Sequence, residues 1–425
     1  MPKAPLPHPS VGDWWTLYDA GLPEVLRWAA DKHVEFPGTT HAYCLSTNNR
    51  TPPEDVLRRA ASTRAAKDRA LRATRRETLW AGKDVPPLRT PVALLFPGQG
   101  SQTVGMLKVR FTVGEHKMGR FFFFHACLFV CTLRNPQRMM TQASLHLPAV
   151  KAMVATASAV LGYDLEALCL HGPSERLDAT EHAQPALLVA NLAAVELLRS
   201  TRPDVADRVS AVAGLSLGEY AALCHAGVLR FEDALRVVKV RGEAMAEAAR
   251  NGKHGMLSVV GLSDSVLLLL CEEARTRSSS PGVCEVANRL FPQGRVVSGD
   301  DDLLTWLEAQ ALKRGALKTR RLAVSGAFHT QRMAPARTAL ERVLRDVEVH
   351  PPRVTVYSNV TGRPFEGDVR GLLARQVVEP VQWERTLRAL MRDGKRELYE
   401  TGPGKQIKGM VRRIDEELEV VSVQP

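Results

Sequence analysis

The chain reads Val212-Ala213-Gly214-Leu215-Ser216-Leu217-Gly218-Glu219-Tyr220 at the point where a predicted strand turns sharply into a predicted helix. The strand is predicted over residues 209–213, and the alanine-rich helix over residues 219–228. In a G-x-S-x-G elbow the glycines let strand and helix approach closely, and the serine hydroxyl is held at the strand end. Ser216 is therefore the candidate nucleophile. A turn that only requires small residues would produce the same pattern.

Length and composition describe an ordinary globular protein. The chain has 425 residues, of which 45% are hydrophobic and 24% charged, and this allows one large domain or two smaller ones. The net charge of +11 is concentrated in two segments, because residues 1–91 carry 14 Lys and Arg against 10 Asp and Glu, and residues 107–148 carry 6 against 1. The remainder is nearly neutral, which argues against nucleic-acid binding. Seven scattered cysteines favour reduced thiols over a disulfide framework.

Residues 107–141 form an atypical segment. They include four consecutive phenylalanines, 121–124, and an apolar run of about a dozen residues that is too short to span a bilayer. We therefore predict no transmembrane segment. His125, Cys127 and Cys131 lie within this run, but their spacing matches no zinc pattern, so no metal site is predicted.

A glycine-rich loop follows the predicted buried strand 92–96. The loop contains Gly98, Gly100 and Gly105, and the third glycine comes too late for a dinucleotide fingerprint. The sequence after Gly105 also lacks the Gly-Lys-Ser/Thr of a phosphate loop. What remains is a tight loop that offers backbone N–H groups and the amide of Gln99 near the strand ends, where α/β sheets place ligands.

Arg241 is the next candidate. Residues 231–245 place their apolar side chains on one face of a predicted helix, and Arg241 falls on that face. A buried guanidinium costs several kcal/mol unless an anion pairs with it. The anion could be a carboxylate elsewhere in the fold, or the charge could reach the solvent at the edge of the helix. Alternatively, the anion is a substrate carboxylate, held by two parallel hydrogen bonds.

His329 is the candidate base. It follows a predicted strand at 322–324 and the loop 325–328, so it would lie at a strand end with small neighbours. An ordinary surface-loop histidine would fit the same position.

Eight ordered motifs resemble those of the malonyl-CoA:acyl carrier protein transacylases. The similarity covers residues 92–106 and about 144–420, and residues 283–292 with 296–299 are most similar to the animal mitochondrial form. The motifs are LFPGQGSQ at 95–102, QPA at 184–186, GLSLGEY at 214–220, VRGEAM at 240–245, GAFH at 326–329, SNV at 358–360, PVQW at 380–383 and GPGK at 402–405.

The resemblance implies a role for each site residue. Ser216 would take the malonyl group as an ester, with His329 as base and then acid. The backbone carbonyl of Gln376 would orient the imidazole, so that no third acidic residue is needed. Gln99 and the N–H of Leu217 would form the oxyanion hole, and Arg241 would hold the free malonyl carboxylate.

The resemblance also implies an α/β fold, with an α/β-hydrolase-like body and an inserted ferredoxin-like subdomain. The expected domains are an N-terminal extension at 1–87, a large subdomain at 88–252 that includes the insertion 107–141, a small subdomain at 253–323, and the remainder of the large subdomain at 324–425. The insertion begins beside the oxyanion loop, so a non-catalytic variant is one alternative. A serine acyl hydrolase or thioesterase is another.

No permanently bound cofactor is expected. The implied substrates are malonyl-CoA, a CoA thioester, and phosphopantetheinylated acyl carrier protein, which would also be the protein partner. We expect a monomer in the mitochondrial matrix, with the cytoplasm as the alternative location. Residues 1–50 contain acidic side chains, which are uncommon in mitochondrial transit peptides.

Overall fold

A computed structural model describes residues 90–107, 145–278, 282–324 and 326–425. The expected N-terminal extension at 1–87 lies outside these residues, as does the insertion 107–141 apart from its first residue. The described part is a mixed α/β structure with two separate sheets, and this confirms the predicted fold class at that level.

A five-stranded parallel sheet forms the first core. Its strands stand in the order β7-β2-β1-β8-β9. All five side chains of β1 are buried, as expected for a parallel strand that is covered on both faces. The strands are β1 (Val92–Phe96), β2 (Val209–Gly214), β7 (Thr355–Tyr357), β8 (Glu397–Thr401) and β9 (Val420–Val423).

The second sheet is antiparallel, in the order β4-β5-β3-β6. Two helices, α8 and α9, complete a β-α-β-β-α-β succession and close a separate apolar cluster over this sheet. These elements are β3 (His254–Val260), α8 (Asp264–Thr276), β4 (Cys284–Phe291), β5 (Gly294–Asp300), α9 (Asp301–Lys313) and β6 (Lys318–Arg321).

The remaining helices accompany the parallel sheet. They are α1 (Pro148–Leu161), α2 (Leu165–His171), α3 (Ser174–Asp178), α4 (Thr180–Thr201), α5 (Pro203–Ala206), α6 (Gly218–His225), α7 (Phe231–Ala249), α10 (Ala334–Arg345), α11 (Val369–Gln376), α12 (Trp383–Arg392) and α13 (Gln406–Arg412).

The strand predicted at 322–324 is wrong. The strand in this region is β6, Lys318–Arg321, which pairs with β3 at the edge of the antiparallel sheet. Three of its four side chains are basic, and such charges are typical of a protected edge strand. The apolar pattern of 322–324 belongs instead to the connection between β6 and the loop that carries His329.

Among the described residues, no single helix is long and apolar enough to cross a membrane. The consecutive helices α1 and α2 are long and apolar enough when taken together, but the angle between them is 108°.

Candidate active site

The strand-to-helix turn predicted around Ser216 joins β2 to α6. A methyl group on Gly214 would lie 1.9 Å from the backbone carbon of Gly218, and one on Gly218 would lie 2.2 Å from the carbonyl oxygen of Phe96. Only glycine permits these approaches. Ser216 itself has a φ of 51°, an unfavourable backbone angle for a residue with a side chain. The crowded glycines on both sides hold the serine in this conformation, with its hydroxyl at the strand end.

A histidine and a backbone carbonyl continue a chain of hydrogen bonds from the serine hydroxyl. The Oγ of Ser216 lies 3.0 Å from Nε2 of His329, and Nδ1 of His329 lies 2.7 Å from the carbonyl oxygen of Gln376. Gln376 is the last residue of α11, where carbonyl groups have no partner within the helix and can accept from a side chain. With Nδ1–H donating to this carbonyl, Nε2 is free to accept the proton of Ser216.

The His329 imidazole is buried and neutral at physiological pH. Burial and, to a lesser extent, the charge of Arg241 lower its pKa to about 4, although the bond to the Gln376 carbonyl opposes the decrease. A neutral imidazole beside a serine can act as a general base without first losing a proton.

Arg241 projects from α7 into the same site and is 1% exposed. Its Nη1 donates to Oε1 of Gln184 at 2.6 Å, and its Nη2 donates to Oε1 of Gln376 at 2.8 Å and to Oγ of Ser216 at 3.1 Å. Among the described residues no carboxylate forms an ion pair with Arg241, and its buried Nε has no hydrogen-bond partner. The guanidinium is therefore solvated by neutral groups and keeps an unused donor, an arrangement suited to a ligand anion.

The close packing of two helices places Arg241 beside Gln184. A methyl group on Gly242 of α7 would lie 3.1 Å from the Cα of Glu181 in α4. Because the helices approach this closely, the Arg241 side chain meets Gln184 one turn further along α4. The face of Tyr220 covers the other side, with its ring centre 5.4 Å from the Arg241 guanidinium carbon.

The two residues expected at an oxyanion hole flank the elbow. Leu217 follows the serine, and its backbone N–H donates no hydrogen bond within the described ranges. Gln99 follows Gly98, where a methyl group would lie 2.4 Å from the carbonyl oxygen of Leu215, so the glycine-rich loop packs directly on the elbow. The side-chain amide of Gln99 donates to Oγ1 of Thr180 at 3.1 Å.

Three buried polar residues complete the site and had no role in the sequence analysis. Gln184 contacts Arg241, Glu219 accepts from the Gln376 amide, and Asn359 accepts from the backbone N–H of Ser216 at 2.6 Å. All three are at most 1% exposed. Each lies inside one of the eight motifs, so the motifs could have indicated them. Only the fold shows which groups they contact.

No group of three or more His, Cys, Asp or Glu side chains in the described part of the chain is arranged to hold a metal ion. The chemistry of the assembled residues is that of a serine nucleophile with a base, an adjacent free N–H and a fixed cation.

Comparisons with known proteins identify the family. The acyl transferase domain family matches residues 139–412. The human mitochondrial malonyl-CoA-acyl carrier protein transacylase is 42% identical over 329 residues, which cover 75% of this chain and 76% of the human protein. The crystal structure of a malonyl-CoA:acyl carrier protein transacylase from Xanthomonas oryzae is 34% identical with a TM-score of 0.67, over 79% of this chain and 96% of that one.

A malonyl-transacylase solved in complex with its type II PKS acyl-carrier protein is also similar. It is 32% identical with a TM-score of 0.66, and the match covers 79% of this chain and 96% of that chain. Sequence identity, coverage and fold agree, and the chain belongs to the malonyl-CoA-acyl carrier protein transacylase family of acyl transferases.

Proposed function

We propose that this chain transfers a malonyl group from malonyl-CoA to the phosphopantetheine thiol of acyl carrier protein, and so supplies fatty acid synthesis. The observation that carries the proposal is the position of Arg241. Its guanidinium touches the nucleophile Oγ, lacks a carboxylate partner among the described residues and retains a free buried Nε–H. A malonyl thioester carries a carboxylate one methylene group away from the carbon under attack, and this is the anion that such a guanidinium would hold.

In the first half-reaction, Oγ of Ser216 attacks the thioester carbonyl carbon while Nε2 of His329 takes the hydroxyl proton. The Leu217 N–H and Gln99 stabilise the oxyanion of the tetrahedral intermediate. The intermediate then collapses with cleavage of the carbon–sulfur bond. The CoA sulfur leaves with the proton held on His329, and the malonyl group remains as an ester on Ser216.

The second half-reaction reverses these roles. The thiol of the carrier protein gives its proton to Nε2 of His329 and attacks the ester carbon. When the carbon–oxygen bond breaks, Oγ of Ser216 recovers a proton from His329. Throughout both halves the carbonyl of Gln376 keeps Nδ1 protonated, so the same nitrogen, Nε2, accepts and returns each proton.

One assay distinguishes this proposal from its alternatives. Malonyl-CoA is incubated with and without phosphopantetheinylated acyl carrier protein, and CoA release is measured beside malonyl-carrier formation. We expect equal amounts of CoA and malonyl-carrier, and little CoA without the carrier. A serine hydrolase would release CoA steadily without it. A non-catalytic variant, disabled by the insertion 107–141, would release none.

The finer fold description is part of the same proposal. The β-α-β-β-α-β succession and strand order of the antiparallel sheet support a ferredoxin-like small subdomain at 253–323, inserted in an α/β-hydrolase-like body at 88–252 and 324–425. We also propose a location in the mitochondrial matrix, since the similar human protein is named mitochondrial. Fractionation of cells that express the full chain would test this location. The monomeric state stays a prediction.

A further inference from the structure

Glu219 is a buried acid that the reaction described above does not use. It lies in the first turn of α6 and is 1% exposed, and no ion pair within the described ranges includes it. A carboxylate buried without an ion pair is costly unless hydrogen bonds compensate for the loss of water. Burial accordingly raises the pKa of Glu219 to about 8. Its partners therefore decide what it does.

All the partners of Glu219 are hydrogen-bond donors. The backbone N–H of Asn359 donates to Oε1 at 2.8 Å, and the side-chain amide of Gln376 donates to Oε2. These bonds lower the pKa and oppose the effect of burial. An ionised carboxylate accepts every one of them, whereas a protonated one would lose an acceptor site.

The bonds to Oε2 of Glu219 and to the Ser216 carbonyl together fix which way the Gln376 amide faces. The NH₂ group of Gln376 points at Glu219 and also donates to the carbonyl oxygen of Ser216 at 2.9 Å. Its carbonyl oxygen is thereby turned to Arg241, which donates to it at 2.8 Å. Rotation of this amide by half a turn would place its NH₂ group against the guanidinium, donor against donor.

Glu219 lies behind the Gln376 amide and forms no ion pair with Arg241. One glutamine amide separates the two groups, so Glu219 takes none of the Arg241 donors. A carboxylate in direct contact would use the donors that a substrate anion needs. A carboxylate behind the amide leaves them available.

We propose that Glu219 determines acyl-group specificity as a positioning residue: through the Gln376 amide it orients Arg241 for the substrate carboxylate. The inference rests on the proposed function, because it requires that Arg241 hold a malonyl group.

The test is Glu219→Gln, compared with wild type for transfer of malonyl and acetyl groups to the carrier thiol. The variant keeps one oxygen, which can still accept from Asn359, but presents NH₂ to the NH₂ group of Gln376. We expect malonyl kcat/KM to fall roughly 10- to 100-fold, mainly through KM, while acetyl transfer changes by less than about threefold. In an Arg241→Ala background the same substitution should change malonyl transfer little, because the group it positions is already absent.

Controls separate this role from a contribution to folding. Glu419→Gln makes the same substitution at an exposed side chain and should leave the transfer of both acyl groups unchanged. If Glu219→Gln does not fold, as judged by circular dichroism, Gln376→Met gives a second test, because it retains the backbone carbonyl for His329 and removes the connecting amide. Loss of malonyl preference in this variant supports the proposal, and an unchanged preference overturns it.

Equal losses for both acyl groups in Glu219→Gln, or no loss at all, would also overturn the inference. A wild-type protein that transfers no malonyl group would instead refute the proposed function, so the two failures are distinguishable.

Discussion

Nη2 of Arg241 donates a hydrogen bond to Oγ of Ser216 at 3.1 Å, so a buried cation touches the hydroxyl that lies 3.0 Å from Nε2 of His329. The nucleophile thus has a base on one side and a positive charge on the other. The charge favours an alkoxide over a neutral hydroxyl and disfavours an imidazolium, and both effects are strengthened by the burial of Arg241 and His329. A substrate carboxylate bound to Arg241 would offset this charge and so help His329 to hold a proton.

The first prediction concerns the nucleophile. Ser216→Ala should abolish the covalent malonyl adduct, because the hydroxyl is the only group proposed to bond to the acyl carbon. Intact-protein mass spectrometry after brief exposure to malonyl-CoA measures the adduct directly. An adduct of undiminished yield on the variant would show that another residue carries the acyl group.

The second prediction concerns selectivity. Arg241→Ala should cost malonyl transfer about 2 to 5 kcal/mol, roughly 30-fold or more in kcat/KM, because the substrate carboxylate loses a buried charged partner. Acetyl transfer should stay equal or improve, since acetyl has no second carboxylate. Competition between the two CoA thioesters, followed by analysis of the carrier product, gives the ratio. Equal losses for both groups would make Arg241 a structural residue.

The third prediction concerns the base. His329 should stay neutral as pH falls from 7 and should protonate only near its pKa of about 4. In Arg241→Ala its pKa should rise towards the ordinary value of about 6.5, because both the repelling charge and part of the burial are lost. NMR titration of histidine-labelled protein, assigned by comparison with His329→Ala, measures both values. A wild-type pKa near 6.5 would contradict the prediction.

The fourth prediction concerns the elbow. Gly218→Ala should lower the free energy of unfolding by about 1 to 3 kcal/mol or more, because its methyl group would meet backbone atoms of β1 that cannot rotate away. Gly409→Ala is the matched control, since a methyl group there meets no atom within 4 Å in the exposed face of α13. That change should stabilise the helix by about 0.5 to 1 kcal/mol. Urea unfolding compares the two, and similar values for both variants would argue against the tight elbow.

The sequence by itself identified the groups that bear the proposed chemistry. Ser216 stood between glycines at a strand-to-helix turn, and Arg241 stood on an apolar helix face. Periodicity and turn chemistry are local, so they can be recognised within a few residues of chain. The same reasoning failed at 322–324, where an apolar run resembled a strand while the pairing with β3 involved the basic residues 318–321.

Only the tertiary structure decided what these groups contact. Gln376 lies 135 residues from Arg241 and 157 from Glu219 along the chain, yet its amide joins them and its carbonyl receives His329. Among the described residues no carboxylate pairs with Arg241 directly, and the Glu219 carboxyl group lies on the far side of the Gln376 amide. Such relationships depend on how helices and strands pack together, and local sequence does not encode the distance between residues that meet only in the folded core.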